Sequence, residues 1–132
     1  MTRPVTDDRS GTPTLLVVDD EPSVHRLLRD FFEGRRYRIQ SALTANDAIA
    51  FLRQGRVDAI ILDVNLPGRS GLHVLEYVRS NPQFGNMPVL ILTGDALTPE
   101  GEALVARYRP YVFYKHEELE ELARYIERLT SA

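Results

Sequence analysis

The chain has 132 residues, no cysteine and a formal net charge of −3. That length suits one ordinary core, burying roughly two-thirds of the unfolded chain's surface. Disulfide frameworks, thiolate chemistry and cysteine–zinc sites are excluded; no apolar run approaches the ~20 residues that span a bilayer, and so mild a charge does not mark a nucleic-acid binder.

Residues 1–13 are polar and read as a flexible N-terminal tail, with a single domain over 14–132. Nothing in the tail resembles the apolar stretch of a signal peptide, so a cytoplasmic protein is expected. Leu15 to Val18 form an apolar run that stops at Asp19. Pro22 opens a helical pattern in which Val24, Leu27, Leu28, Phe31 and Phe32 share one face, and Gly34 ends it. Tyr37, Ile39 and Ser41 alternate with polar neighbours, as in an outer strand. Thr44 with Asp47 resembles a capping box, followed by a stripe of Ala48, Ile49 and Leu52 that ends at Gly55.

Val57 to Leu62 is a second apolar run, stopping at Asp63, and residues 65–68 read as a loop. Leu72, Leu75 and Val78 form a helical stripe ended near Asn81-Pro82. Val89 to Leu92 is a third run, stopping at Thr93. Thr98-Pro99 starts a helix holding Ala103, Leu104 and Tyr108, which ends before Pro110. Tyr111 to Tyr114 is a last short strand, stopping at Lys115. Leu119, Leu122, Ile126 and Leu129 make a final stripe, with Glu residues in its first turns where the helix dipole favours them.

Five strands thus alternate with five helices. Continuous apolar runs are buried on both faces, which implies a parallel sheet covered by helices. Right-handed crossovers leave few topologies. The second strand is the most polar and belongs at an edge. The expected fold is therefore a flavodoxin-like (βα)5 three-layer sandwich of strand order 2-1-3-4-5.

Sites in such sheets form beyond the carboxyl ends of the strands, where the strand order reverses. The strand ends here carry Asp19, Asp20, Asp63, Thr93 and Lys115. Lys115 is the only lysine among 16 basic residues. Singly, Asp19-Asp20-Glu21 before Pro22 reads as an ordinary helix start, Asp63 and Thr93-Gly94-Asp95 as turns, and Lys115 as a solvated cation. Their common placement carries the functional reading. Two like charges ~4 Å apart repel by roughly 4 kcal/mol at an effective dielectric near 20. Three carboxylates in one hollow therefore call for a cation besides the lysine. Mg²⁺ suits the set, with Asp20 and Asp63 as direct ligands, Asp19 directly or through water, and the Asn65 main-chain carbonyl as another oxygen. A carboxylate beside Mg²⁺ can attack a phosphoryl group, and Thr93, Lys115 and the Gly94 N–H can hold its oxygens.

Leu16-Val17-Val18-Asp19-Asp20-Glu21, Ile61-Leu62-Asp63-Val64-Asn65-Leu66-Pro67-Gly68 with Gly71, Leu92-Thr93-Gly94 and Lys115 together resemble the receiver domain of two-component response regulators. The resemblance covers nearly the whole chain after residue 13. It implies Asp63 as phosphoacceptor, Thr93 as switch hydroxyl and Lys115 as salt-bridging lysine. It also implies phosphotransfer from a sensor histidine kinase, a phosphotransfer protein or a small acyl phosphate, and signalling to a downstream protein through the fourth helix, fifth strand and fifth helix. Asp95 and Asn65 are expected to tune hydrolysis of the phosphoryl group. Two positions depart from the family pattern: His116 stands in place of the proline after the lysine, and Val112 in place of the switch aromatic, flanked by Tyr111 and Phe113. Strand alternation puts those flanking side chains on the other face from Val112. An unusual output route is therefore expected.

Two other functions compete: a degenerate receiver serving as a docking module, and an aspartate-nucleophile phosphohydrolase. The second would want another carboxylate two residues after Asp63, where Asn65 stands. His25, His73 and His116 lie apart and read as surface or partly packed residues. The stretch Arg26 to Arg38 reads as a solvated face, and Tyr108, Tyr111 and Phe113 as core. The stripe from Leu119 to Leu129 suits homodimer formation and packing on the sheet equally. No membrane or direct nucleic-acid partner is expected.

Overall fold

The structure, a computed structural model, describes residues 11–64, 66, 70–94, 96–115 and 119–130. The elements in order are β1 (Thr14–Val18), α1 (Pro22–Glu33), β2 (Arg38–Ala42), α2 (Ala45–Gln54), β3 (Ala59–Leu62), α3 (Leu72–Ser80), a 3-10 turn (Pro82–Phe84), β4 (Val89–Thr93), α4 (Pro99–Tyr108), β5 (Tyr111–Tyr114) and α5 (Leu119–Thr130). The strands form one parallel sheet in the order β2-β1-β3-β4-β5, as the alternation of blocks implies.

Alternation along each strand splits the core in two. Leu16, Val18, Ile60, Leu62 and Ile91 face α2 and α3, where Ala48, Leu52, Leu75 and Val78 meet them. Leu15, Val17, Ile61, Leu90, Leu92 and Phe113 face α1 and α5, where Leu28, Phe32, Leu122 and Ile126 complete the second layer. Burying each such Leu, Ile or Phe contributes about 1.5–3 kcal/mol against leaving it in water. This is why the central strands carry no polar side chain until they reach the sheet's edge.

The helix starts follow local chemistry. The Thr44 hydroxyl accepts from the Asp47 N–H at 3.0 Å and the Thr98 hydroxyl from the Gly101 N–H at 3.0 Å, each satisfying an orphan donor. Pro22 opens α1, but its N-cap, Glu21, makes no side-chain capping bond. The Glu21 carboxylate is employed elsewhere, as described below.

Four packing expectations need correction. Leu27 is 54% exposed, and His25 is buried in its place. The buried face of α1 is His25, Leu28 and Phe32, spaced i, i+3, i+7, and Leu27 lies off it, while His25 Nε2 bonds the Asp19 carbonyl at the strand–helix junction. Ala103 is exposed, because α4 touches the core only through Gly101 and the half-buried Leu104, Val105 and Tyr108. Leu129 is also exposed: the buried face of α5 is Leu122, Ala123 and Ile126, and it does not extend to the last turn.

Candidate functional site

Register delivers the acidic residues. Val18 pairs with Leu62 and Leu62 with Ile91, so β1 and β3 end level, with Asp19 and Asp63 as the next residues. Both are anchored by backbone bonds. The Asp19 N–H donates to the Ala42 carbonyl at 3.1 Å and the Asp63 N–H to the Val18 carbonyl at 2.8 Å. β4 and β5 close together with Thr93 opposite Tyr114, and the Lys115 N–H donates to the Thr93 carbonyl at 2.9 Å.

The side chains converge. Carboxylate oxygens of Asp19, Asp20 and Asp63 all lie within 4.8 Å of one another. Asp19 and Asp63 are buried, as is Thr93, while Asp20 is exposed at the mouth. The Lys115 ammonium sits 3.1 Å from Asp19 Oδ2, 3.4 Å from Asp63 Oδ2 and 3.2 Å from Glu21 Oε1. Burial opposes its charge, but the hydrogen bonds to Asp19 and Glu21 and the field of Asp19 and Asp63 outweigh burial and hold its pKa above the ordinary lysine value. One ammonium against four carboxylates leaves the hollow net negative. The donor set is oxygen only and partly open, which fits a hard divalent cation that keeps some of its water.

Two neighbours shape this hollow. Gly71 is αR, so what it supplies is space: a Cβ there would lie 2.1 Å from the Asp63 carbonyl oxygen. Its N–H donates to the Val64 carbonyl at 3.2 Å, and the Ser70 hydroxyl donates to the same carbonyl at 3.1 Å, tying the start of α3 to the end of β3. At Gly94 a Cβ would meet Lys115 Cδ at 3.6 Å, an ordinary contact, so that position does not demand glycine.

The structure brings Asp19, Asp20, Asp63 and Lys115 together. Asn65, Asp95 and His116 lie outside the described residues. Val112 is half-buried toward α4, and Phe113 packs on the opposite face, as alternation requires. Tyr111 is an exception to the expected core packing: it is largely exposed, with its ring against Tyr125 and Phe113. Two residues at the site had been given no role of their own. Glu21 was read as part of a helix start and of the acidic cluster that carries the resemblance, yet its contact with Lys115 was not foreseen. His25 was read as a surface or partly packed residue, yet its Nε2 lies 2.6 Å from the Asp19 carbonyl oxygen. The only signal was its six-residue spacing from Asp19, which brings the first turn of a helix back over the preceding strand end. The arginines of the Arg26–Arg38 stretch are partly tied down: Arg29 donates to the Ser41 hydroxyl at 2.8 Å, and Arg35 lies over the Phe31 ring and pairs with Glu120.

Among the described residues no helix is long and apolar enough to cross a membrane. Residues 15–127 match the response regulator receiver domain. The chain is 41% identical over 105 residues to the probable transcriptional regulatory protein TcrX of Mycobacterium tuberculosis, covering 77% of this chain and 44% of that protein. It is 35% identical over 86 residues to the transcriptional regulatory protein ResD of Bacillus subtilis, covering 65% of this chain and 35% of that one. It therefore spans less than half the length of these relatives. Among solved structures, the response regulator TrrA of Thermotoga maritima, in complex with Mg²⁺ and BeF, is similar with a TM-score of 0.77 and 28% identity, covering 89% of this chain and 98% of that one. From sheet order, acidic hollow and these likenesses together, the chain belongs to the receiver domains of two-component response regulators.

Proposed function

We propose that Asp63 is the phosphoacceptor of a Mg²⁺-dependent cytoplasmic receiver. It takes a phosphoryl group from a histidine kinase or phosphotransfer protein and passes the change of state to a protein partner. The observation that carries this reading is the convergence of the Asp19, Asp20 and Asp63 carboxylates with the Lys115 ammonium at the end of β3. The similar TrrA was solved with Mg²⁺ and BeF, which supports the reading by likeness.

In this reading an Asp63 carboxylate oxygen attacks phosphorus. The donor's P–N bond breaks, and the leaving imidazole keeps the electron pair and takes up a proton. Charge in such a transfer rests on the equatorial phosphoryl oxygens, so the protein's task is positioning and neutralisation. Mg²⁺, held by Asp20 and Asp63 with Asp19 directly or through water, would supply Lewis-acid charge neutralisation. Lys115 would exchange its contact with Asp63 for a phosphoryl oxygen, and the Thr93 hydroxyl and Gly94 N–H would take up others. Losing the lysine from Asp63 and drawing Thr93 inward biases the β4–α4 and β5 region toward a second arrangement.

Incubation with acetyl phosphate and Mg²⁺, followed by intact mass, tests this. One added phosphoryl group is expected in the wild type and none in Asp63→Asn or without Mg²⁺. An unmodified wild type would instead leave a phosphorylation-independent docking module, and turnover of a phosphomonoester would point to a phosphohydrolase.

A further inference from the structure

The junction between β1 and α1 carries Asp19 and Asp20, two carboxylates of the hollow, and one side chain of the helix reaches back to it. His25, in the first turn of α1, is 6% exposed. Its Nε2 lies 2.6 Å from the Asp19 carbonyl oxygen. A carbonyl only accepts, so Nε2 carries the proton and donates it. The other ring nitrogen, Nδ1, is buried and has no hydrogen-bond partner among the described residues. The ring thus makes a short bond on one side and leaves a buried polar atom unpaired on the other, which is costly. Leu28 and Phe32 share the buried face of α1 with His25. An apolar side chain would fill that place without an unpaired nitrogen, so packing does not account for the imidazole. What accounts for it is the bond.

That bond acts on a peptide outside the helix's own ladder. The ladder begins at the Glu21 carbonyl, which accepts from the Val24 and His25 N–H groups at 3.0 and 3.4 Å. The Asp19 carbonyl lies before that start and belongs to the planar unit that joins Asp19 to Asp20. Holding its direction holds the backbone bond about which Asp20 turns. Asp19 is anchored at its other polar groups too: its N–H donates to the Ala42 carbonyl at 3.1 Å, and its Oδ1 accepts from the Glu21 N–H at 2.9 Å. Asp20 is exposed, so packing does not place it. Three carboxylates within 4.8 Å of one another repel, and the exposed one has the most room to swing outward. The His25 bond opposes that movement through the backbone.

We infer that His25 is a positioning residue for the cation site: its Nε2–H holds the Asp19–Asp20 peptide so that the Asp20 carboxylate stays turned toward Asp19 and Asp63. The role rests on the Mg²⁺ reading given above. The ligands are arranged before the cation arrives, at a cost in stability set by the unpaired Nδ1.

The test is a Mg²⁺ titration of the whole chain, followed by the amide shifts of Asp19, Asp20 and Asp63, with urea melts of the same proteins without Mg²⁺. His25→Leu keeps an apolar body and removes the donor; His25→Gln keeps a donor that can reach the carbonyl. His25→Leu should weaken Mg²⁺ binding about tenfold while melting no earlier than the wild type. His25→Gln should recover affinity to within about threefold of the wild type without being more stable than His25→Leu. A merely structural role would not separate affinity from stability in this way. Equal Mg²⁺ affinity in the wild type and His25→Leu, or a loss that His25→Gln does not recover, would overturn the role and leave the cation site standing. A wild type that binds no Mg²⁺ would overturn both. The wild type also gives a check that needs no variant: a nitrogen NMR spectrum of the imidazole should show the proton on Nε2, and a bare Nε2 would overturn the bond itself.

Discussion

At Gly71 and Gly94 the same substitution has opposite consequences. A Cβ at Gly71 would fall on the Asp63 carbonyl oxygen, and one at Gly94 would make an ordinary contact with Lys115. Gly71→Ala must push the end of β3 away from α3, and a cost of about 2–4 kcal/mol with loss of acetyl phosphate labelling is expected. Gly94→Ala should change stability by less than about 1 kcal/mol and keep labelling; urea melts and intact mass check both. Lys115 is the counter-charge of the hollow, so Lys115→Met should cost about 1–3 kcal/mol and slow phosphorylation about a hundredfold. Mg²⁺ should then raise the melting temperature of the variant more than that of the wild type, because it replaces the missing positive charge. The folded pKa of Lys115 is raised, so its contribution is fully present below about 10.4, the unfolded value, and is lost only as pH climbs through the folded value. The stability gap between wild type and variant should therefore stay constant around neutral pH and close in strong alkali. Asp63 and Lys115 were legible because each ends an apolar run. Glu21 was not, because an exposed acidic residue before a proline is ordinary until the fold brings a lysine from β5 beside it.

The helices are unequal. α1 and α5 bury Leu28, Phe32, Leu122 and Ile126, whereas α4 buries only Gly101. Leu122→Ala should cost about 2–5 kcal/mol and Leu104→Ala about 1 kcal/mol, measured by denaturant unfolding. Amide exchange should be fastest in α4, where few apolar contacts resist local opening. A helix that opens readily is suited to the change of state proposed above. Periodicity located all five helices, but it could not rank them. The pattern Ala103, Leu104, Tyr108 looks as amphipathic as the others, and only the sheet's layout shows how little lies beneath α4. The exposure of Leu27 was hidden for a related reason: a polar ring, His25, competes for the inward position by bonding the Asp19 carbonyl.

Across the whole molecule, the sheet order explains why residues 96 positions apart in sequence, from Asp19 to Lys115, share one hollow. That order was readable because the central strands are uniformly apolar and the second is not. β5 is the last strand and is bonded to β4 alone. The chain's one lysine follows directly from that border strand, so it is moored to the interior by one neighbour on one flank. Where β5 lies against β4 therefore decides where the amine sits, because the ribbon that carries it has no second strand to hold its place.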